Sequence, residues 1–285
     1  MIKTEGGTRI KVGCKVKAST NKSLISIITV CLNSDRYIED AIKSVINQTY
    51  NNIEYIIVDG GSTDGTLDII RKYESAIDYW KSESDRGIYD AMNKGVSLAT
   101  GDIVGILNSD DWYHPQAVEQ IVKALRENPQ ADVIYGDLLY VRQEGDFLKK
   151  EDCDIEGKYM TRKGSHENML EKWALYHPAC FVKKENYSEH RFNPDLRLSG
   201  DYYFMLSLYR AGKKFCYIAQ PVVYYRPVGI SSKFHYRYVL EHFHIRRKYN
   251  MIKAVKCWFL ETKECLYELL YVEKEKVKKI ILGKD

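Results

Sequence analysis

Three short polar stretches hold the side chains best suited to chemistry. Asp59 precedes Gly60-Gly61, Asp85 precedes Arg86-Gly87, and Asn108-Ser109-Asp110-Asp111 sets two adjacent carboxylates beside a neutral amide. Neighbouring carboxylates repel each other unless a cation lies near them, which points to a divalent metal. Asn108 and Asp110, two residues apart, can both reach a hydrated Mg²⁺ or Mn²⁺ that bridges a diphosphate. Asp59 can accept from a base N–H or from ribose hydroxyls, with Gly60-Gly61 letting the backbone come close. Arg86 can grip a phosphate through two parallel hydrogen bonds. The plainer reading of Asp110 or Asp111 is an N-cap for a helix starting near His114-Pro115, and Asp64 is read as a cap of the same kind.

What must position these loops is a set of alternating strands and helices. Leu24 to Val30 is a near-continuous β-branched run, as in a strand buried on both faces. Asn33-Ser34 offers a cap for a helix over Tyr37 to Ile46, whose apolar residues recur at helical spacing. A second strand spans Ile53 to Val58, a helix starts near Leu67, a short strand lies around Ile77 to Trp80, and a helix runs from Ile88 to Leu98. The run Ile103 to Leu107 is the next strand, and a helix over Pro115 to Glu127 stops before Pro129. Such alternation predicts right-handed crossovers and a parallel twisted sheet, with the three acidic loops meeting at its carboxyl edge. Further on, Val133 to Tyr135 and Leu138 to Val141 read as a strand pair or as one strand with a kink, and strands are expected around Ala179 to Val182 and Phe215 to Tyr225 (interrupted at Pro221), with a helix from Tyr202 to Ala211. Residues 144–172 are charged and weakly periodic, and read as a loop over the site or a surface excursion.

Composition sets the outer bounds. The chain has 285 residues and a hydrophobic fraction of 45%, enough for a sizeable core. Its seven cysteines have no CxxC or zinc-ligand spacing, which fits a reducing compartment. No signal peptide and no apolar run of membrane-spanning length shows, so a cytoplasmic protein, peripheral at most on the inner face of the membrane, is expected. Residues 1–22 read as a flexible arm, 23–235 as the catalytic domain with a break near 130, and 236–285 as a basic helical tail. The tail carries twelve Lys/Arg against seven Asp/Glu, so the formal net charge of +4 belongs to it. Leu266, Leu269, Leu270, Val277, Ile280 and Ile281 form its apolar stripe, which suits an anionic lipid surface or a homo-oligomer. No nucleic-acid partner is expected.

Several motifs resemble the family 2 inverting glycosyltransferases of GT-A fold: Ile25 to Asn33, Val58 to Thr66, Asp85-Arg86-Gly87-Ile88-Tyr89-Asp90-Ala91-Met92-Asn93-Lys94-Gly95, and Leu107 to Trp112. The likeness covers about residues 24–130. Beyond, it rests on His177-Pro178, Ser199-Gly200-Asp201-Tyr202-Tyr203 and the turn from Tyr225 to Ser232. It implies a mixed, mostly parallel α/β sheet flanked by helices, with a C-terminal helical extension. It also implies a nucleotide-sugar site in which Thr29, Val30 and Cys31 wall the uracil pocket and Asp59 and Asp85 meet the uridine. Arg86, Asp90 and Asn93 would lie beside sugar and phosphates, with Ser109 and Asp111 toward the donor sugar. Asn108 and Asp110 fall on the metal motif for Mn²⁺ or Mg²⁺, and Asp201 on the catalytic base. Trp112 and His177 are placed on the acceptor side, although a core role for His177 is the commoner one for a histidine.

The implied reaction is metal-assisted transfer of one sugar from a UDP-sugar to a hydroxyl of a glycan precursor, lipid-linked or protein-linked. A carboxylate must take the acceptor proton, and only one is needed because no glycosyl-enzyme forms. Asp195 is the nearest rival to Asp201, which could instead be a helix cap. The departures are Asn108 for the usual Asp, Gly200 for a usual Glu, and Arg226-Pro227-Val228-Gly229 where many such enzymes carry a metal-binding His. His242 and His244 fall on different helix faces and do not make a metal pair. A catalytically silent nucleotide-sugar-binding partner is the alternative that Asn108 keeps open. A sugar-phosphate nucleotidyltransferase would want a Gly-rich, Arg-bearing loop where Cys31-Leu32-Asn33-Ser34 stands.

Overall fold

The computed structural model describes residues 4–12, 22–141, 159–162, 165–167, 169–170, 175–228 and 236–263. In chain order they form β1 (Thr4–Gly6), α1 (Thr8–Val12), β2 (Ile25–Cys31), α2 (Ile38–Ile46), β3 (Ile53–Asp59), α3 (Thr66–Lys72), β4 (Tyr79–Ser82) and α4 (Ile88–Leu98). Then follow β5 (Ile103–Asn108), β6 (Trp112–Tyr113), α5 (Ala117–Glu127), β7 (Val133–Val141), β8 (Tyr159–Arg162), β9 (Cys180–Lys183), α6 (Gly200–Arg210), β10 (Phe215–Tyr225) and α7 (Tyr236–Arg247). A last helix, α8, covers 251–263.

The strands build one sheet in the order β1-β4-β3-β2-β5-β9-β7-β10-β6, with β8 pairing beside β7. β4, β3, β2, β5, β7 and β10 run one way, and β1, β6, β8 and β9 run against them. The expected mixed, mostly parallel α/β architecture is therefore present. All residues of β2 and β3 are buried, as their unbroken apolar runs require of strands covered on both faces. Alternate side chains then feed two cores. Ile25 and Ile27 pack with α2 and α5 through Ile38, Ile42 and Ile121, whereas Ile28 and Val30 pack with Met92, Phe204 and Met205 of α4 and α6.

The structure departs from the sequence reading in places that depend on distant partners. Thr4–Gly6 is not part of a loose arm, since it adds an antiparallel strand to the edge of β4. The amides of Thr8 and Arg9 donate to Ile77 and Asp78 carbonyls, and Arg9 pairs with Glu54. An open strand edge left by β4 is satisfied in this way, which polar composition could not announce. Asn33 adopts a left-handed backbone (φ 49°) rather than capping α2, and its Oδ1 accepts from Thr63 N at 2.9 Å. The excursion after β7 contributes β8 to the sheet, while the rest of 144–172 lies largely outside the described residues.

The helical region after residue 236 begins as part of the body. Val239, Glu241, His242, Ile245 and Arg246 of α7 are buried, and Arg246 Nε donates to the Tyr202 hydroxyl of α6 at 3.1 Å. Glu261 of α8 accepts from Arg246 Nη1 at 2.6 Å. The apolar stripe from Leu266 onward lies outside the described residues. Among the described residues no helix is long and apolar enough to cross a membrane, and Cys31, Cys180, Cys216 and Cys257 are free thiols.

Candidate nucleotide-sugar site

The register of the parallel strands brings the three acidic loops to one edge. Cys31 lies opposite Asp59, Asp59 opposite Ser82, and Val30 opposite Asn108. Asp59 itself is fully buried and its oxygens are occupied from within. Oδ2 accepts from the amides of Gly61 (3.0 Å) and Ser62 (2.9 Å) and from Ser82 Oγ (2.6 Å), and Oδ1 accepts from Ser62 Oγ. Its visible work is to shape the Gly60-Gly61-Ser62 turn. Cys31 packs against Asp59, and burial first, with the nearby carboxylates adding to it, pushes its thiol far up. Thr29 is equally engaged, its Oγ1 lying 3.1 Å from the buried Tyr55 hydroxyl, while Val30 is a core side chain.

Asp85 is the more open carboxylate of this edge. A Cβ on Gly60 would stand 2.6 Å from Asp85 Oδ2, so glycine there leaves the carboxylate its room. Partial burial holds Asp85 above its ordinary range, although the Gly87 amide (2.8 Å to Oδ1) works the other way. The Arg86 side chain is exposed, with Asp90 3.6 Å away, and Asp90 Oδ2 accepts the Arg86 amide at 3.1 Å. Asp90 therefore ties the loop to the first turn of α4. Asn93 points elsewhere: its amide group bonds both backbone groups of Phe192 (2.9 and 3.2 Å). It also lines a cavity of ≈ 750 Å³ with Thr100, Asp102 and Lys183, at the opposite edge of the sheet.

The metal motif sits at the end of β5. Asn108 Nδ2 donates to Asp111 Oδ2 at 3.3 Å, and Asp111 Oδ1 accepts the Arg226 amide at 2.9 Å. Asp111 is wholly buried, so it braces this corner. Burial raises the Asp110 carboxyl, and burial together with the Asp110 charge raises Asp111 well above its usual range. Asn108 Oδ1 is buried with no hydrogen-bond partner among the described residues. An orphaned acceptor beside a desolvated carboxylate suits a cation. No group of three or more His, Cys, Asp or Glu able to hold a metal occurs among the described residues. Asn108 and Asp110 would hold such an ion through their two side chains, and its remaining ligands would have to come from outside the described residues.

Arg226, missed as a site residue by sequence reasoning, stands over this corner. Its guanidinium carbon lies 4.8 Å from the Tyr37 ring and 4.7 Å from the Trp112 ring, and Nη2 meets Asp40 at 2.9 Å. Trp112 also stacks on Tyr224 with centroids 5.2 Å apart. The one signal in the sequence was its position, where a metal-binding His was looked for. Ser34 Oγ donates to Ser109 Oγ at 2.8 Å, joining the motif to the loop after β2.

Asp201 opens α6 and is tied to the start of α4, after the Asp85-Arg86-Gly87 loop. Its Oδ1 accepts the Tyr202 amide at 2.8 Å and the Tyr89 hydroxyl at 3.3 Å; Tyr89 belongs to the first turn of α4, just after Arg86-Gly87. Arg197 Nη1 donates to the Arg86 carbonyl at 3.1 Å, a second link between the two loops. Oδ2 of Asp201 has no hydrogen-bond partner among the described residues. Burial pushes the carboxyl up to about 6, against the lowering effect of the Tyr202 amide and Tyr89 hydroxyl. Gly200 is explained by the same ring. A Cβ there would meet Tyr89 carbons at 2.6 Å, so a glutamate cannot precede Asp201 while Tyr89 holds this place. Asp195 is exposed and only turns its own loop.

His177 lies behind the site. It is buried, packs edge-on to Phe192 (5.3 Å), and Phe192 stacks on Tyr89 at 6.0 Å. Burial lowers its ring to about 4, so it stays neutral. His177 and Asn93 therefore back Tyr89 rather than face a ligand. His242 is buried against Glu261 and His244 is exposed, as expected of two different helix faces.

Comparisons with known proteins agree with this architecture. A Haemophilus influenzae protein described as an uncharacterized glycosyltransferase is 29% identical over 210 residues, 67% of this chain and 62% of its own length. A Mycobacterium bovis protein described as a PGL/p-HBAD biosynthesis glycosyltransferase is 35% identical over 120 residues, 41% of this chain and 47% of its own. The chain thus spans less than two thirds of these relatives. The Staphylococcus aureus TarS 1–349 structure superposes with a TM-score of 0.60 at 18% identity, covering 78% of this chain and 64% of that one. The mannosyltransferase PcManGT from Pyrobaculum calidifontis, in complex with GDP-Man and Mn²⁺, gives 0.58 at 19% identity over 79% and 64%. These likenesses show the GT-A fold. Residues 26–191, more than half of the chain and including every strand of the acidic edge, match Glycosyl transferase family 2, the family to which this protein belongs.

Proposed function

We propose that the protein is an inverting glycosyltransferase that moves one sugar from a UDP-sugar to a hydroxyl of a glycan precursor. The observation that carries this reading is Asp201: a carboxyl held near 6, anchored through one oxygen to the donor-side helix, with the other oxygen free of described partners. A base of that strength is mostly ionised at neutral pH yet still takes a proton readily from an attacking hydroxyl. TarS is known in complex with UDP and with UDP-GlcNAc, which supports a uridine donor here. In this reading Asp85 and the Gly60-Gly61-Ser62 turn take the nucleoside, and Arg86 takes the phosphates. A divalent ion between Asn108, Asp110 and the diphosphate would stabilise the charge that gathers on departing UDP. Arg226 adds a fixed positive charge behind that corner.

An exposed apolar face on α8 favours a lipid-linked acceptor. Ile252, Val255 and Phe259 on α8 are exposed, and Lys256 lies on the same helix. An apolar face carrying lysines suits the boundary of an anionic membrane. Sedimentation with phosphatidylglycerol vesicles that is unchanged in an Ile252→Glu/Phe259→Glu variant would remove the membrane contact.

The deciding experiment incubates the protein with UDP-, GDP- and dTDP-sugars and Mn²⁺ and measures nucleotide release, beside calorimetric binding of UDP. Release from a UDP-sugar that disappears in Asp201→Asn, with UDP binding kept, is the expected result. Asn108, a neutral ligand, favours one other reading, a silent nucleotide-sugar-binding partner. Tight UDP binding without turnover in the presence of any donor or glycan acceptor would select it.

A further inference from the structure

We infer that Glu241 of α7 is a positioning residue for Asp201, holding the loop that carries the base against the donor-side loop. The inference rests on the reading of Asp201 given above. Glu241 is 8% exposed and lies on α7, 42 to 44 positions after the amides it holds. Its Oε2 accepts the amides of Leu198 and Ser199, each at 3.0 Å, and Oε1 accepts the Arg197 amide at 3.0 Å and Arg237 Nε at 3.1 Å. Three consecutive backbone N–H groups thus converge on one carboxylate immediately before α6.

Those amides need such a partner. The Ser199 amide is the first orphan donor of α6, and the Arg197 and Leu198 amides lie in the turn before it, where no backbone carbonyl of the described residues receives them. Ser199, the residue in the cap position, makes no side-chain cap, and its Oγ is buried without a hydrogen bond among the described residues. Glu241 receives the Ser199 amide together with the two before it, while the Tyr202 amide inside the first turn goes to Asp201 Oδ1. The negative charge of Glu241 also lies at the positive end of the α6 dipole. Burial works against that charge, but the backbone amides and Arg237 outweigh it and hold the Glu241 carboxyl below its usual range.

The clamp reaches the chemistry by two short routes. Ser199 is two residues from Asp201, so fixing its amide fixes the entry into α6. Arg197, whose amide Glu241 holds, donates its guanidinium to the Arg86 carbonyl of the donor-side loop. Around Asp201 stand Tyr89 from α4, Cys180 from β9, and Glu241 and Tyr238 from α7. Of these, Glu241 is the charged group. Burial of Asp201 and its spacing from the Arg86 loop both depend on the clamp staying closed. The helical region after residue 236 is in this respect part of the catalytic apparatus, whatever else it binds.

The test uses the full chain, wild type and Glu241→Gln, with aspartate carboxyl carbons labelled and Asp201 assigned by its absence in Asp201→Asn. Gln offers one acceptor oxygen and turns an NH₂ group toward the amides that Oε2 received. The expected result is a fall of the Asp201 titration midpoint toward the ordinary aspartate range by about one pH unit or more, as the loop opens and the nearby charge is lost. UDP affinity, read by calorimetry, should change less than about threefold, because the groups placed for the nucleotide lie on other loops. An unchanged Asp201 midpoint in a folded Glu241→Gln variant overturns the positioning role. Failure of the wild type to bind UDP would instead sink the functional reading and leave the titration result standing. Should Glu241→Gln fail to fold, hydrogen exchange in the wild type decides: protected amides at Arg197, Leu198 and Ser199 uphold the clamp, and rapid exchange at all three overturns it.

Discussion

Replacing Asp201 by Asn should remove turnover and at the same time stabilise the fold in a pH-dependent way. The carboxyl is raised from an ordinary 3.8 to about 6, chiefly by burial. At about 1.36 kcal/mol per pH unit, ionised Asp201 costs the folded state about 2–3 kcal/mol, the lower figure allowing for the part of the group that water still reaches. The sign follows from proton binding. Folded protein holds this proton more tightly than the unfolded chain, so the contribution is fully present below pH 4 and lost as pH rises through 6. Asn keeps an acceptor for the Tyr202 amide and the Tyr89 hydroxyl and cannot ionise. Urea unfolding of both proteins from pH 4 to pH 8 is the assay. Asp201→Asn should be the more stable by about 2–3 kcal/mol at pH 8, with the advantage shrinking through pH 6 and gone near pH 4. A difference that does not move with pH, or a less stable Asn variant at pH 8, would refute the desolvated-base account.

Three further outcomes follow from the same geometry. Tyr89→Phe removes a donor that favours ionised Asp201, so the acidic limb of the nucleotide-release profile should move up by about half a pH unit to one unit. Gly200→Ala drives a Cβ to within 2.6 Å of the buried Tyr89 ring. It should cost about 1–3 kcal/mol in urea unfolding despite the better helix propensity of alanine. Asn108→Asp supplies an anionic ligand, so Mn²⁺ affinity in the presence of UDP, read by calorimetry, should rise about tenfold. With EDTA at pH 8 the same variant should melt below the wild type, since its new charge sits beside two raised carboxylates.

How far the sequence could be read tracks the range of the interactions involved. The strands at Ile25, Ile53 and Ile103 and the helix from Ile88 to Leu98 were legible because hydrophobic period decides them. Convergence of Asp59, Asp85 and Asp110 followed from parallel topology alone. The second half was less legible: β9 runs antiparallel between β5 and β7, and β7 is one strand where two pieces were equally readable. Those pairings are set by distant partners that leave no mark on the strand's own pattern. The same limit applies to Thr4–Gly6, whose role exists only because β4 presents an edge.

Within the site, residue type foretold position better than it foretold which atoms remain available. Asp59 lies at the acidic edge as expected, but Ser82 and the turn amides fill its oxygens, so a base N–H could bind it only by replacing one of those bonds. Thr29 is in the same situation with Tyr55. A polar side chain that arrives at a strand end is first claimed by the backbone donors nearest to it, because leaving those buried is costly. Side chains that stay open are those whose neighbours have been satisfied by something else. Asp201 Oδ2 is the instructive case: Glu241 bonds the three amides before α6, and Asp201 serves only the Tyr202 amide of the first turn, through Oδ1. A carboxylate from a distant helix holds the loop, and Oδ2 of the local carboxylate has no hydrogen-bond partner among the described residues.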